Sequence, residues 1–269
     1  MSDEPDGPQS IRKGNRQERR APVDGIVRER KPVFSLPVIV WVIAAFLISS
    51  FGTGIGLSIL KSVGVSFTGS DQNVYATIVS AVIYILLLLI TLGVPRIFKL
   101  WSTRLSFRKL LGLTRLLQYR DILFAVLGFV VYLALAVALV TVVSKLIPGF
   151  NVNQVQDLPF SKALTGRNAI LVFLSLVVVA PIAEEIIFRG YLFGNLRRTL
   201  PTWAAALITS VVFGAIHLQW NVGLDVFMLS LVSCFLRYKT GSLWASMLLH
   251  MAKNGLAFYT LYIAASIIR

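Results

Sequence analysis

The sequence predicts an all-α fold, a polytopic transmembrane bundle of about seven to eight helices, and three observations predict it. The 269-residue chain is 56% hydrophobic and 14% charged, with a mean hydropathy of +0.76, far from the balance of a water-soluble domain. Its apolar runs approach the roughly 20 residues needed to cross a ~30 Å hydrocarbon core. The alternating pattern of a membrane barrel is absent from those runs. The single cysteine, Cys234, lies inside an apolar run, which excludes an intramolecular disulfide.

Residues 1–33 read as a disordered cytoplasmic tail. Eight Lys and Arg and six acids fall within residues 1–31, with few large apolar residues to offset the entropy of ordering. The tail is too polar for a signal-peptide leader, so the first apolar run is expected to remain. Residues 34–269 read as the transmembrane domain, with a motif-bearing core at about 169–255. Apolar runs near Leu36–Leu60, Val74–Val94, Ile122–Leu146, Ala169–Phe188, Trp203–Leu218, Val222–Leu236 and Leu243–Ile268 predict seven spans. The fifth and sixth are short. One could be re-entrant, or the last run could break in two, and either would move the C-terminus across the membrane.

The formal charge of +14 raises the question of nucleic acid, and the placement of the cations argues against it. Seven lie between Arg96 and Arg120, where no acid occurs, and like the tail they flank apolar runs. That is the pattern of cytoplasmic loops facing anionic lipid. The expectation is a multi-pass protein of the cell membrane, partnered by the lipid bilayer and not by nucleic acid, with its N-terminus cytoplasmic and Arg269 outside. Trp101, Leu105, Phe107, Leu110, Leu111 and Leu113 interleave with Arg104, Arg108, Lys109 and Arg115. This reads either as an in-plane amphipathic helix or as a plain connecting loop. Gly52, Gly54 and Gly56 have no strand before them. They read as a small-residue face, Gly52 and Gly56 letting helices approach closely.

Ionisable residues inside spans are costly and therefore functional candidates. Glu184, Glu185 and Arg189 close the fourth run, His217 the fifth, and His250 and Asn254 lie in the last. Glu185 and Arg189, four apart, can form an ion pair on one helix face. Glu184 is turned about 100° away and must find its partner on another span or take up a proton. A carboxylate without a counter-ion in low dielectric suits general-base work. His250 and Asn254 share a face and can converge on one small object, while Phe213 lies one turn before His217 and can pack beneath it. If the fourth and fifth helices turn at Leu200 and Pro201, Glu184 lies 16 residues before Leu200 and His217 lies 17 after it, at one depth. A carboxylate and an imidazole can deprotonate water, and a second imidazole with an amide can stabilise an oxyanion. There is no G-x-S-x-G elbow, and nothing near Cys234 in sequence would activate it. Lys253 reads as snorkelling or facing a polar cavity, and Asp225 as a helix-start or interface residue.

In order along the chain, E-E-x-x-x-R (Glu184, Glu185, Arg189), F-x-x-x-H (Phe213, His217) and H-x-x-x-N (His250, Asn254) resemble the three motifs of the CAAX-processing and bacteriocin-processing intramembrane proteases, also called CPBP or Abi, whose eukaryotic member is the Ras-converting endopeptidase. The resemblance covers roughly Ala169 to Gly255. It implies that Glu184 with His217 activates the water, that His250 with Asn254 forms the oxyanion site, and that Glu185 and Arg189 are a structural ion pair. The implied activity is hydrolysis of a peptide or protein substrate at the membrane, of CAAX-like or signal- or bacteriocin-type. Members are often called metalloproteases, but the chain lacks H-E-x-x-H and Asn is a poor zinc ligand. The expectation is therefore no cofactor. Zinc, if present, would rest on Glu184, His217 and His250. The alternatives are a non-catalytic scaffold or immunity protein, or a transporter using the Glu/His set as a proton relay. The late spans offer mainly Ser and Thr beyond the motif residues, which favours a closed chamber over a conduit.

Overall fold

The computed structural model describes residues 35–64, 72–98, 107–151, 158–160, 164 and 166–264. The tail of residues 1–33, the stretch with Trp101, Arg104 and Leu105, and Arg269 lie outside them. Eight helices and no strand occur among the described residues: α1 (Ser35–Ser62), α2 (Gln72–Ile97), α3 (Phe107–Leu111), α4 (Tyr119–Leu146), α5 (Gly166–Leu196), α6 (Thr202–Ala215), α7 (Trp220–Thr240), and α8, which runs Trp244–Phe258 and continues as a π-helical turn, Tyr259–Ala264. Helices satisfy every backbone group within one segment, which lipid demands. The chain is a multi-pass membrane protein.

Seven spans were expected, and among the described residues five helices have the length and composition of one. α1, α2, α4, α5 and α7 are long and apolar enough to cross a membrane. α6 has 14 residues, reaching ~21 Å at 1.5 Å per residue. α8 carries His250, Lys253 and Asn254 along its length.

The outer helices bury narrow stripes and give the rest to lipid. In α4 the buried residues are Asp121, Ala125, Gly128, Tyr132 and Ala136, one heptad-like face of mostly small side chains turned to α7. A Cβ on Gly128 would lie 2.9 Å from Leu236. The opposite face exposes Ile122, Val126, Val130 and Val137. α1 repeats this logic with Val38, Val42, Ala45, Ser49 and Thr53 inward. Gly52 and Gly56 do not perform the expected close approach, for a Cβ on either meets nothing within 4 Å. That approach occurs instead between α6 and α7, where a Cβ on Gly214 would stand 2.8 Å from the carbonyl oxygen of Gly223.

α5 is the central element. Residues 187–198 are buried without interruption, because other helices surround them on all sides. The stretch read as an in-plane helix or a loop is described only from α3 onward, where Leu110 and Leu111 are buried in the core against Gly190 and Gly194 of α5 while Arg108 and Lys109 are exposed. The loop after it is pinned at both ends. Gly112 (φ +72°) accepts a hydrogen bond from the Leu243 amide at 3.2 Å, and the Trp244 indole donates to the Arg115 carbonyl at 3.0 Å. Arg115 in turn clasps Asp121 through both guanidinium nitrogens, at 2.6 and 2.7 Å, which starts α4 alongside the Gln118–Asp121 capping box. This bidentate bond also holds the Arg115 guanidinium more firmly charged than usual.

Candidate active site

Local irregularity in α5 presents the two acids. The helix widens into a π-turn over Leu174–Val179, resumes as Ala180–Glu185, and widens again over Ile186–Leu192. Pro181 lacks an N–H, so the normal ladder cannot continue through the first widened turn, and such bulges recur at functional sites. Glu184 and Glu185 end the short regular stretch between them.

The acids then face different partners. Glu185 is fully buried, 2.9 Å from the equally buried Arg189 guanidinium and 3.0 Å from Nδ1 of His250. A carboxylate only accepts, so His250 donates through Nδ1, and its Nε2 lies 3.7 Å from Oε2 of Glu184. The other oxygen of Glu184, Oε1, accepts a 2.6 Å hydrogen bond from the hydroxyl of Tyr84 on α2. Glu184 thus finds its partners on two other helices.

His217 lies on the turn just past the last residue of α6 and not inside a span. The next residue, Leu218, has a left-handed backbone (φ +56°), a conformation a branched side chain seldom adopts. Nδ1 of His217 is 2.7 Å from the Phe213 carbonyl oxygen, so Nδ1 carries a proton and the neutral ring keeps its lone pair on Nε2. Glu184, Lys253 and His250 are all close enough to His217 to act on it electrostatically. The buried Phe213 ring is the shared surface beneath the cluster: centroid distances are 5.0 Å to His217, 5.9 Å to His250 and 4.8 Å to Phe188, and the Arg189 guanidinium stands 4.4 Å over its face. Beside the His217 turn an apolar cavity of about 430 Å³ opens between α6 and α7, lined in part by Val211, Leu218, Trp220 and Phe227.

Phe213 therefore packs against both His217 and His250, and Nε2 of His250 stands 3.7 Å from Glu184. Asn254 reaches the group from one turn below His250, its Nδ2 donating to the Leu176 carbonyl oxygen at 2.9 Å, inside the first π-turn of α5. His250 and Asn254 hold to separate points of α5, not to one shared object. One amide N–H of Asn254 remains beyond that bond. Lys253 and Asp225 meet each other at 3.2 Å, and Asp225 also accepts from the Tyr132 hydroxyl at 2.5 Å, joining α4, α7 and α8. Tyr84 was missed by the sequence reading. Its only signal is a hydroxyl-bearing residue within an apolar run, which also describes any packing tyrosine. As for zinc, each histidine has its Nδ1 engaged as a metal ligand's would be. Even so, no group of three His, Cys, Asp or Glu side chains is placed to hold a metal ion among the described residues.

Fold and cluster together define a class: a multi-pass helical membrane protein that keeps carboxylates and imidazoles in contact inside the bundle. Within that class, residues 166–256 match the family described as type II CAAX prenyl endopeptidase Rce1-like, over the segment that carries the three motifs. The chain is also 35% identical over 89 residues to an Escherichia coli protein named "Uncharacterized 24.3 kDa protein", covering 31% of this chain and 41% of that one. It is 35% identical over 77 residues to a Bacillus subtilis (strain 168) protein named "Putative membrane peptidase YdiL", covering 29% of this chain and 32% of that one. The similarity spans less than half the length of either relative. No solved structure matches the chain.

Proposed function

We propose that the protein is an intramembrane endopeptidase of the cell membrane, its N-terminus cytoplasmic, which hydrolyses a peptide bond with water activated by Glu184. The observation that carries this reading is the setting of Glu184: one oxygen fixed by Tyr84, the other facing His250 at 3.7 Å, and its helical neighbour Glu185 already occupied by Arg189. Glu184 takes a proton from the water as its oxygen bonds to the substrate carbonyl carbon. His217, whose Nδ1 is bonded to the Phe213 carbonyl and whose Nε2 keeps its lone pair, shares that proton and returns it to the departing amine. The carbonyl oxygen becomes an oxyanion, received by the free N–H of Asn254 and by Nε2 of His250 in its protonated form. Glu185 steadies His250 from the other ring nitrogen, as a carboxylate behind a histidine does in hydrolases. The family match and the relative named as a membrane peptidase support a peptide substrate. Its class is a CAAX-like or signal- or bacteriocin-type segment, and no metal takes part.

Glu184→Gln tests this. It keeps the hydrogen-bonding outline of the side chain but cannot accept the proton, so cleavage should fall by at least about 10²-fold while the melting temperature holds. Full activity in Glu184→Gln overturns the proposal. So does activity that is lost to chelator and restored by zinc found stoichiometrically in the purified protein.

A further inference from the structure

We propose that Tyr84 is a positioning residue for the general base, acting through Glu184; this rests on the reading of Glu184 given above. Tyr84 lies outside the matched segment 166–256, so it assigns the first helices of the chain a part in the chemistry.

Three features carry the inference. The first is the identity of the donor. A phenol brings a single neutral O–H, so it can occupy one carboxylate oxygen without cancelling the charge. A guanidinium there would engage both oxygens and neutralise the base. The second is the division of Glu184 that follows. Oε1 is taken at 2.6 Å, while Oε2 lies 3.7 Å from His250, too far for a direct hydrogen bond, and keeps lone pairs for a solvent proton. The third is the rigidity of the mount. The Tyr84 ring has two rotatable angles and packs against the main core cluster, with Leu87 of its own helix fully inside it. α2 is braced in turn by the Trp41 indole of α1, which donates to the Thr91 carbonyl at 3.2 Å in a π-turn of α2. α1 and α2 thus form a wall that holds the hydroxyl against the acid.

The experiment uses the full chain in lipid nanodiscs, with wild type, Tyr84→Phe, Glu184→Gln and the double variant. Cleavage is followed on a quenched, membrane-anchored peptide library. Infrared spectra of protein labelled with carboxyl-¹³C glutamate report the carboxylate band that Glu184→Gln deletes. Tyr84→Phe should lower kcat about 10- to 100-fold, as loss of alignment does, with KM and melting temperature unchanged. It should shift the Glu184 band and add nothing on the Glu184→Gln background, as expected when one residue works through another. Wild-type kcat in Tyr84→Phe, additive losses in the double variant, or an unmoved band each overturns the inference. If no library member is cleaved, the band alone decides. Tyr84→Leu serves as a second variant without the hydroxyl should Tyr84→Phe fold poorly. Activity persisting in Glu184→Gln sinks the general-base reading itself, whereas an inactive Glu184→Gln beside a fully active Tyr84→Phe sinks only the role of Tyr84.

Discussion

His250 lies between the two acids of α5, its Nδ1 bonded to Glu185 at 3.0 Å and its Nε2 standing 3.7 Å from Glu184. The ring therefore cannot rotate without giving up its bond to Glu185. Glu185 is the anchor of that arrangement, because it also carries the buried Arg189. Removing one partner of a buried pair leaves the other charged and unmatched, which costs about 3 to 5 kcal/mol. Glu185→Ala should accordingly reduce folded yield and lower the melting temperature in detergent sharply, in contrast to Glu184→Gln.

Glu184→Gln should reduce kcat by at least about 10²- to 10⁴-fold, the usual worth of a general base. Single-turnover cleavage beside a thermal melt separates this from instability.

Asn254 divides its amide between the Leu176 carbonyl and the proposed oxyanion. Asn254→Ala should lower kcat about 10²- to 10³-fold, as loss of an oxyanion donor does elsewhere. Asn254→Asp should be at least as damaging, since it faces a developing negative charge with another. Comparing kcat with KM across the two variants checks this.

Phe213 packs against Phe188, His217, His250 and Arg189 at once. Phe213→Ala should cost about 3 to 5 kcal/mol and, in the protein that still folds, slow turnover because His217 loses its seat. Phe213→Leu should recover most of the stability and less of the rate, measured by denaturation and kinetics on the same samples.

Gly112 adopts a left-handed backbone, and a Cβ there would lie 2.5 Å from the guanidinium carbon of the buried Arg237. Gly112→Ala should destabilise by about 1 to 2 kcal/mol from the backbone alone. The melting temperature should fall with specific activity unchanged, since the loop touches none of the cluster.

The long apolar helices were legible because a run of lipid-compatible residues has few other outcomes. α1, α2, α4 and α7 start and stop within a few residues of their runs. α5 extends past its apolar run to Leu196 because Arg189 and Asn195 are buried among other helices instead of marking a boundary. The π-turns on either side of Glu184 and Glu185 left no periodic trace, since a widened turn shifts register by a single residue. His217 was placed inside a helix because Ile216 and Leu218 continue the apolar pattern, although the backbone turns there. Tyr84 and the Lys253–Asp225 pair are contacts between distant helices, and one sequence holds no record of which helices are neighbours. Gly214 and Gly223 sit nine residues apart on two helices, a spacing that no small-residue motif within one helix would reveal.

The short reach of α6 changes what surrounds the cluster. A helix of 14 residues spans ~21 Å against a hydrocarbon layer of ~30 Å, so lipid beside it must thin or its end must sit in contact with solvent. His217 emerges at that end. Either outcome would leave the imidazole nearer to water than the middle of a full-length span, and so would shorten the route by which a hydrolytic reagent enters from the aqueous phase.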